Sequence, residues 1–451
     1  MTKYRKVPLS LEMTQHLEFI GYGKMTPIQE AVLPLVLEGG DVIAQAKTGS
    51  GKTAAFGIGL LENLNVKKFR IQSLVLCPTR ELAHQVATEL RLIAKFKHNI
   101  KILMLCGGES FGKQCNSLFH EAHIVVGTPG RVLKHLNKGT LSLEHLQTIV
   151  LDEADRMLDM GFIEEVQTAL SFAPDKRQTL LFSATYNDEI MAISQKIQNN
   201  PFQITTKEEE VANEIEEIFT ICEDKEQTLL GVLSSYNPKN CIVFVNTKLQ
   251  ADQLAQTLQK RDVDALALHG DLEQYDRNDV LVQFSNGSCR VLIATDVASR
   301  GIDIKELSMV VNFDMPNTKE IYTHRIGRTG RAGAEGIALT LVESKEEFQE
   351  YEDRNVVLKA DEAFVIREDL KMQPEYVTLV IEGGKKDKLR AGDILGALTK
   401  DATLQGSDVG KINIYEKQSY VAIAHNQIDI AYQKLQSSKI KAKRFSVWIL
   451  S

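Results

Sequence analysis

Thr148-Ile149-Val150-Leu151-Asp152-Glu153-Ala154-Asp155 reads as a buried β-strand that ends in carboxylates. Four apolar or β-branched residues run directly into three acids among four positions. In open parallel sheets, ligands bind beyond the carboxyl ends of the strands. Crowded carboxylates repel each other, and a cation relieves that repulsion. A strand entering the acidic first turn of a solvated helix carries the same letters. The stretch alone leaves both readings open.

The chain before it decides. Asp41-Val42-Ile43-Ala44-Gln45 reads as a short buried strand, and Ala46-Lys47-Thr48-Gly49-Ser50-Gly51-Lys52-Thr53 follows at once. Strand, glycine-bearing loop and helix start form a phosphate-binding unit, with Ala46 where the first glycine is usual. Glycines let backbone N–H groups curl around phosphate oxygens, and the helix start adds positive potential. A Gly/Ser-rich linker that happens to hold a lysine is the bland alternative. The strand before and the helical Ala54-Ala55-Phe56 run after disfavour it. Lys52 is expected to reach the β and γ phosphates of ATP, and Thr53 to offer its hydroxyl to Mg²⁺. With that loop in place, Asp152 becomes the second Mg²⁺ partner, and Glu153 the group that orients or deprotonates the attacking water.

Apolar runs recur with helical stretches between them at Ser73 to Cys77, Ile100 to Leu105, His123 to Val126, Thr148 to Leu151 and Thr179 to Phe182. This alternation predicts a parallel sheet covered by helices. After a charge-rich stretch from Lys207 to Glu217, expected to link domains, a second series begins. Its strands are Cys241 to Val245, Ala265 to Leu268, Val291 to Ala294, Met309 to Val311 and Ile337 to Val342. Only the first series has a phosphate loop, so the second is expected to close on the first and complete its site. Glu343 to Glu375 reads as a terminal helix followed by a tether. Strands at Tyr376 to Ile381, Lys411 to Tyr415, Ser419 to Ala424 and Phe445 to Leu450, with helices at Ala391 to Lys400 and Gln427 to Leu435, give a βαββαβ order. That order is a split βαβ unit, shared by RNA-recognition domains and unrelated modules. On its third strand Tyr420 is the only aromatic, so binding by charge and shape is expected rather than base stacking.

Composition sets bounds. The chain has 451 residues, 43% hydrophobic and 25% charged, as in ordinary folded proteins. It has no apolar run long enough to span a membrane and no secretory pattern at its N-terminus. Six cysteines without a Cys-x-x-Cys pair read as buried thiols, neither a disulfide frame nor a zinc site. The net charge of -7 is uneven: residues 371–451 carry 13 basic against 8 acidic residues, a balance of +5, while the remainder stands at -12. A basic end on an acidic body suits a nucleic-acid contact near the C-terminus.

Four further stretches place polar groups just after strands. Pro78-Thr79-Arg80-Glu81 and Thr128-Pro129-Gly130-Arg131 each offer a hydroxyl and an arginine suited to nucleic-acid phosphates. Ala294-Thr295-Asp296 and Arg300-Gly301-Ile302-Asp303 repeat the arrangement in the second series. The three arginines of His324-Arg325-Ile326-Gly327-Arg328-Thr329-Gly330-Arg331 look unsuited to a core and suited to a triphosphate. A solvated basic turn is the plain alternative, and His324 reads as a structural hydrogen-bonder.

With Ser183-Ala184-Thr185 added, these motifs from Tyr4 to about Val342 resemble those of the DEAD-box RNA helicases, in order. The resemblance implies two RecA-like parallel-sheet domains in tandem. The expected fold class is therefore α/β, with RecA-like domains over 1–206 and 207–358, a linker over 359–373 and a small RRM-like domain over 374–451. Thr26-Pro27-Ile28-Gln29 looks like the family's adenine-reading motif. By that resemblance Gln29 bonds adenine and Tyr22 stacks on it; Tyr4 stands where the family usually has phenylalanine. The resemblance further implies Asp303 near the ribose, Arg328 and Arg331 as arginine fingers, and Ser183 and Thr185 coupling hydrolysis to domain movement. Asp155 is expected to tie to that serine-threonine motif or to the arginine-rich turn. RNA contacts are implied at Thr79, Arg80, Gly108, Thr128, Arg131, Thr247 and Thr295.

The tail, Ile381-Glu382-Gly383-Gly384-Lys385-Lys386-Asp387-Lys388 with Gly392-Asp393-Ile394-Leu395-Gly396-Ala397-Leu398, resembles that of bacterial DbpA-type helicases. That implies binding to a 23S rRNA hairpin and work on pre-50S particles. Lys385, Lys386, Lys388, Lys439, Lys441, Lys443 and Arg444 are candidates for its RNA face. The chain is thus expected to be a cytoplasmic, monomeric RNA-stimulated ATPase that separates short duplexes. An ATP-gated RNA clamp or assembly scaffold is the alternative, and only the resemblance disfavours a DNA helicase.

Overall fold

The computed structural model describes residues 4–46, 50–205, 215–299, 307–330, 336–349, 351, 356–367, 369–401 and 403–450. They fall into two compact units, one ending at Thr205 and the other running from Ile215.

The first unit is a seven-stranded sheet. Its strands are β1 (Val42–Gln45), β2 (Ser73–Leu76), β3 (Ile102–Leu105), β4 (Ile124–Gly127), β5 (Thr148–Leu151), β6 (Gln178–Ser183) and β7 (Phe202–Thr205). They lie in the order β3-β4-β2-β5-β6-β1-β7, every pair parallel. Helices cover both faces, so the central strands must be apolar on both sides, which is why they read as unbroken hydrophobic runs. Val42, Ala44, Val75 and Val150 enter one core. Their neighbours Ile43, Leu74, Leu76, Ile149 and Leu151 enter the other. The helices Pro27–Leu37 and Lys52–Glu62 approach closely because Gly59 has no side chain: a Cβ there would meet Val36 Cγ1 at 2.3 Å. Pro27 does not break the helical pattern but opens a helix at its first position, where its missing N–H costs nothing.

The second unit holds β8 (Ile215–Ile221), β9 (Cys241–Phe244), β10 (Ala265–Leu268), β11 (Val291–Ala294), β12 (Met309–Asn312), β13 (Gly336–Val342) and β14 (Val357–Ala360). Their order is β10-β11-β9-β12-β13-β8-β14, again all parallel. Counted from its own first strand, this is the order of the first sheet. Ile215, Glu216 and Glu217, expected in the linker, belong to β8; residues 207–214 lie outside the described residues. The edge strands β7 and β14 escape a hydrophobicity reading because most of their side chains are exposed.

The segment expected to be a tether runs along this sheet instead. Lys359 and Ala360 belong to β14, the Arg367 N–H donates to Ser234 Oγ at 2.9 Å, and buried Met372 bridges Val263. Phe364 lies over Gly231, where a Cβ would meet the Phe364 carbonyl oxygen at 2.4 Å.

Beyond it, β15 (Tyr376–Ile381), β16 (Val409–Ile414), β17 (Ser419–Ala424) and β18 (Val447–Ile449) form an antiparallel sheet in the order β16-β17-β15-β18. Helices Ala391–Thr399 and Ile428–Ser437 cover one face. The other face meets the helix Gln274–Asn286 of the same unit. Val380 and Tyr420 pack on Val282, with Trp448 and Leu450 beside them. Tyr420 OH donates to Asp279 Oδ1 at 2.7 Å, and Asn286 Nδ2 donates to Thr378 Oγ1 at 2.9 Å. Tyr420 is therefore an interface residue, only 4% exposed, and offers no ring to a nucleobase.

Candidate nucleotide and RNA site

In the first unit, the carboxyl ends of β1, β5 and β6 lie side by side and deliver the phosphate loop, the acids and the serine-threonine motif. Gly51 caps the helix Lys52–Glu62 with φ +92°, a conformation that side chains rarely adopt. A Cβ at Gly51 would also meet Gln29 Nε2 at 2.5 Å, so the loop and the Thr26–Gln29 turn fit together only around glycine. Lys52 is buried, and its Nζ donates to the Ala46 carbonyl at 3.0 Å. Lys47, Thr48, Gly49, Asp303 and Arg331 lie outside the described residues. Ser50 and Thr53 are half-buried at the loop end.

Asp152, Glu153 and Asp155 are all buried, and their partners separate them into three roles. Asp155 spans two backbone amides: its Oδ1 accepts from Arg156 N and its Oδ2 from Ala184 N, both at 3.0 Å. It ties to the serine-threonine motif, one of its two expected destinations. That motif is stitched to the phosphate-loop strand as well, since Ala46 N donates to the Ser183 carbonyl at 3.0 Å. Gln45 Nε2 donates to the Ala184 carbonyl at 3.1 Å. Ser183 Oγ accepts from Thr185 N at 3.3 Å.

Glu153 has left-handed backbone, φ +56°, which turns the chain sharply from strand to helix. Its carboxylate is held by Arg156 Nη1 at 2.8 Å, a pair almost wholly out of solvent. Sequence reading missed Arg156, although the i,i+3 spacing of Glu153 and Arg156 on a helix carries the signal. Asp152 Oδ1 is buried with no hydrogen-bond partner. Burial pushes the Asp152 carboxyl up to about 6, with neighbouring Glu153 and Asp155 adding to the rise and Lys52 opposing it. An orphaned carboxylate oxygen beside a buried lysine is chemically suited to a cation and its water. Thr26 Oγ1, next to Gln29 and Gly51, is likewise buried and unpartnered.

Gln29 is engaged at both ends of its amide. Its Oε1 accepts from Tyr4 OH at 2.6 Å and Thr26 N at 2.9 Å, and its Nε2 donates to the Gly51 carbonyl at 3.1 Å. Tyr22 is half-buried and bonds Glu89 through its hydroxyl.

The expected RNA residues cluster on the other half of the rim, beyond the adjacent strands β2, β4 and β3. Thr79 caps the helix Arg80–Ile93, its Oγ1 accepting from Leu82 N at 3.2 Å. Arg80 lies against Gly107, and Gly108 turns with φ +79°. Thr128 precedes the helix Pro129–Asn137, from which Arg131 donates to Gln114 Oε1 at 2.8 Å and to the Glu109 carbonyl at 3.1 Å. In the second unit, Thr247 and Thr295 follow the adjacent strands β9 and β11. Thr247 Oγ1 caps its helix by accepting from Gln250 N at 3.2 Å, the same bond as at Thr79.

The arginine-rich turn divides. Arg325 is not free for a triphosphate: it is 2% exposed, its Nε and Nη2 donate to the two carboxylate oxygens of Asp296 at 2.7 and 2.8 Å, and Nη1 donates to the Asp314 carbonyl at 2.7 Å. Its Nη2 also donates to Asn246 Oδ1 at 3.1 Å, next to Thr247. A fork of five donors can be buried when each meets an acceptor, and this one sits in the core for that reason. Arg328 is buried as well, one turn on.

In the C-terminal module, Lys385, Lys386, Lys388, Lys439, Lys441, Lys443 and Arg444 are exposed. Lys441 Nζ donates to the Lys388 carbonyl and pairs with Asp393 at 2.8 Å, while Lys443 pairs with Asp387 at 3.4 Å. The two stretches therefore share one rim, on which acids partly offset Lys441 and Lys443.

Comparison with known proteins agrees with this geometry. Residues 26–193 match the DEAD/DEAH box helicase family, 224–333 the helicase conserved C-terminal domain, and 378–449 the DbpA RNA binding domain. The ATP-dependent RNA helicase DbpA of Escherichia coli (strain K12) is 48% identical over 96% of this chain and 96% of its own length. The chain belongs to the DbpA-type DEAD-box RNA helicases. The DbpA of Bacillus subtilis (strain 168) is 38% identical over 99% of both chains. Among solved structures, S. cerevisiae Dbp5 bound to RNA and ADP BeF3 matches with TM-score 0.72 and 32% identity, covering 80% of this chain and 96% of that one. Mss116p bound to ssRNA and AMP-PNP matches with TM-score 0.69 and 29% identity, over 78% of this chain and 77% of that one. This protein is an ATP-dependent RNA helicase with two RecA-like sheets and an RNA-binding module. Among the described residues, no helix is long and apolar enough to cross a membrane.

Proposed function

We propose that this helicase uses Mg²⁺-bound ATP to separate short RNA duplexes, and that its C-terminal module anchors it on a hairpin of 23S rRNA during assembly of the 50S subunit. It would act as a cytoplasmic monomer, with a RecA-like domain that binds the nucleotide over 1–206, a second RecA-like domain over 207–358, a connecting segment over 359–373 and the module over 374–451. The observation that carries the nucleotide part is the unpartnered, buried Asp152 Oδ1 beside Lys52. Asp152 and Thr53 would hold Mg²⁺, which supplies neutralising charge at the phosphates. Lys52 holds the phosphates, and Glu153 orients the attacking water through a carboxylate steadied by Arg156. Gln29 and Tyr22 take the base, Asp303 the ribose, and Arg328 and Arg331 the charge that develops in phosphoryl transfer. Ser183, Thr185 and Asp155 link this chemistry to the RNA-facing rim at Thr79, Arg80, Gly108, Thr128 and Arg131, with Thr247 and Thr295 in the second unit.

Support for the anchor is the match of 378–449 to an RNA binding domain, with exposed lysines on one rim. The sheet face is covered, so the module meets RNA through that rim. Replacing Lys385, Lys386 and Lys388 by glutamate in the full-length chain tests this. ATPase stimulation by 23S rRNA fragments should weaken, while stimulation by unrelated RNA stays as it was. Equal weakening on every RNA would overturn the anchor, and a wild-type protein indifferent to 23S fragments would overturn the target.

A further inference from the structure

Gln29 owes its orientation to three neighbours. The Thr26 N–H can only donate and the Gly51 carbonyl can only accept, so Oε1 must face the first and Nε2 the second. Tyr4 OH then reaches Oε1 at 2.6 Å and has to donate. Tyr4 and Gln29 are each 2% exposed, so water does not compete for this bond. A carboxamide oxygen accepts two hydrogen bonds. Both acceptor positions are taken, one of them by a hydroxyl that phenylalanine at position 4 would not supply. What the amide has left is the second hydrogen on Nε2.

We propose that Tyr4 is a specificity-determining residue of the ATP site, whose hydroxyl occupies Gln29 Oε1 and relaxes discrimination between adenine and guanine nucleotides. This rests on the reading of Gln29 as the base contact. Adenine and guanine share the ring acceptor N7 and differ at the exocyclic position, where adenine carries an amino donor and guanine a carbonyl acceptor. An amide reading through its Nε2 hydrogen alone sees an acceptor in both bases. An amide with a free Oε1 lone pair also bonds the adenine amino group and repels the guanine oxygen, and repulsion of the wrong partner is what sharpens specificity. Tyr4 withholds that second reading.

The test is a double-mutant cycle in the full-length protein. RNA-stimulated kcat/KM is measured with ATP and with GTP for wild type, Tyr4→Phe, Gln29→Ala and the double variant. Tyr4→Phe should raise the ATP-to-GTP ratio roughly three- to tenfold, the size of one net hydrogen bond. The same change should do nothing in the Gln29→Ala background. A ratio that is unchanged or lower in Tyr4→Phe overturns the proposal, a fall meaning that the hydroxyl positions Gln29 for the base instead. If Gln29→Ala itself leaves kcat/KM unchanged for both nucleotides, the base-contact reading has failed, and the cycle reports that separately.

Discussion

The two seven-stranded sheets share one strand order, yet at corresponding places they carry opposite chemistry. After its first strand the first sheet turns through Gly51 into a helix headed by Lys52. After its first strand the second sheet enters a helix capped by Asp224, whose carboxylate accepts from Gln227 N at 3.0 Å. An acid seated on a helix N-terminus takes up an amide that a phosphate would need, so this helix start is closed to one. The balance of buried charge differs in the same sense: Asp41, Asp152, Glu153 and Asp155 outnumber Lys52 and Arg156 in the first unit, while Arg325 and Arg328 outnumber Asp279 in the second. Architecture thus provides the rim, and a handful of loop residues decide what it holds.

The largest expected effect lies on the acidic side. Glu153→Gln keeps the shape and removes the carboxylate, and should lower RNA-stimulated kcat by about 10²–10⁴ while nucleotide binding persists. Single-turnover hydrolysis alongside a nucleotide-binding titration checks this. A variant within tenfold of wild type would show that the acids of the first unit do not set the chemistry. On the basic side, Arg325→Met strips a two-bond partner from Asp296 and the donor from three further acceptors, on Asn312, Asp314 and Asn246. Breaking a buried pair costs about 3–5 kcal/mol, read as a lower denaturant midpoint of the second unit. Loss of activity without loss of stability would return Arg325 to the role its sequence suggested.

That misreading shows where sequence stops. Runs such as Leu74-Val75-Leu76 announce themselves because a parallel strand buried on both faces has to be apolar throughout. The phosphate loop was legible for a similar reason: few residues other than glycine tolerate φ +92° at Gly51. Cationic residues mislead in the other direction, since Arg325 looks like surface until Asp296, Asp314 and Asn246 close around it from distant positions. Tyr4 and Gln29, 25 residues apart, meet only in the fold. The stretch after Glu343 reads as a tether because its anchors, Ser234 and Val263, belong to other elements.

A pH measurement separates the units less drastically. His135 is enclosed by Thr140 Oγ1 at 2.8 Å, Gln114 Oε1 at 3.0 Å and the Phe111 ring stacked at 4.2 Å. Burial, with Arg131 and Lys134 nearby, pushes it down to about 4 from its ordinary 6.5. The unfolded chain therefore takes up a proton first as pH falls. Its contribution to stability is complete above about 6.5 and is lost progressively on going down to about 4. Asp152, whose carboxyl is raised by burial, contributes with the opposite sign over the same range, so the signal is a difference: followed from pH 7 to 4, wild type should lose more stability in the first unit than His135→Gln does. An unchanged slope would place the acid sensitivity elsewhere.

The smallest effect tests the likeness of the two sheets directly. Thr79 and Thr247 occupy matching positions and make the same cap at 3.2 Å. Replacing either by alanine should cost about 1 kcal/mol of stability, the usual worth of a hydroxyl cap. Serine should restore it. If both hydroxyls also face RNA phosphates, each alanine should weaken RNA binding by a similar factor and leave the KM for ATP unchanged. Equal stability losses with RNA binding reduced at Thr79 alone would mean that the sheets share a cap but not a ligand. The RNA path would then follow the loops around each threonine rather than the strand order they have in common.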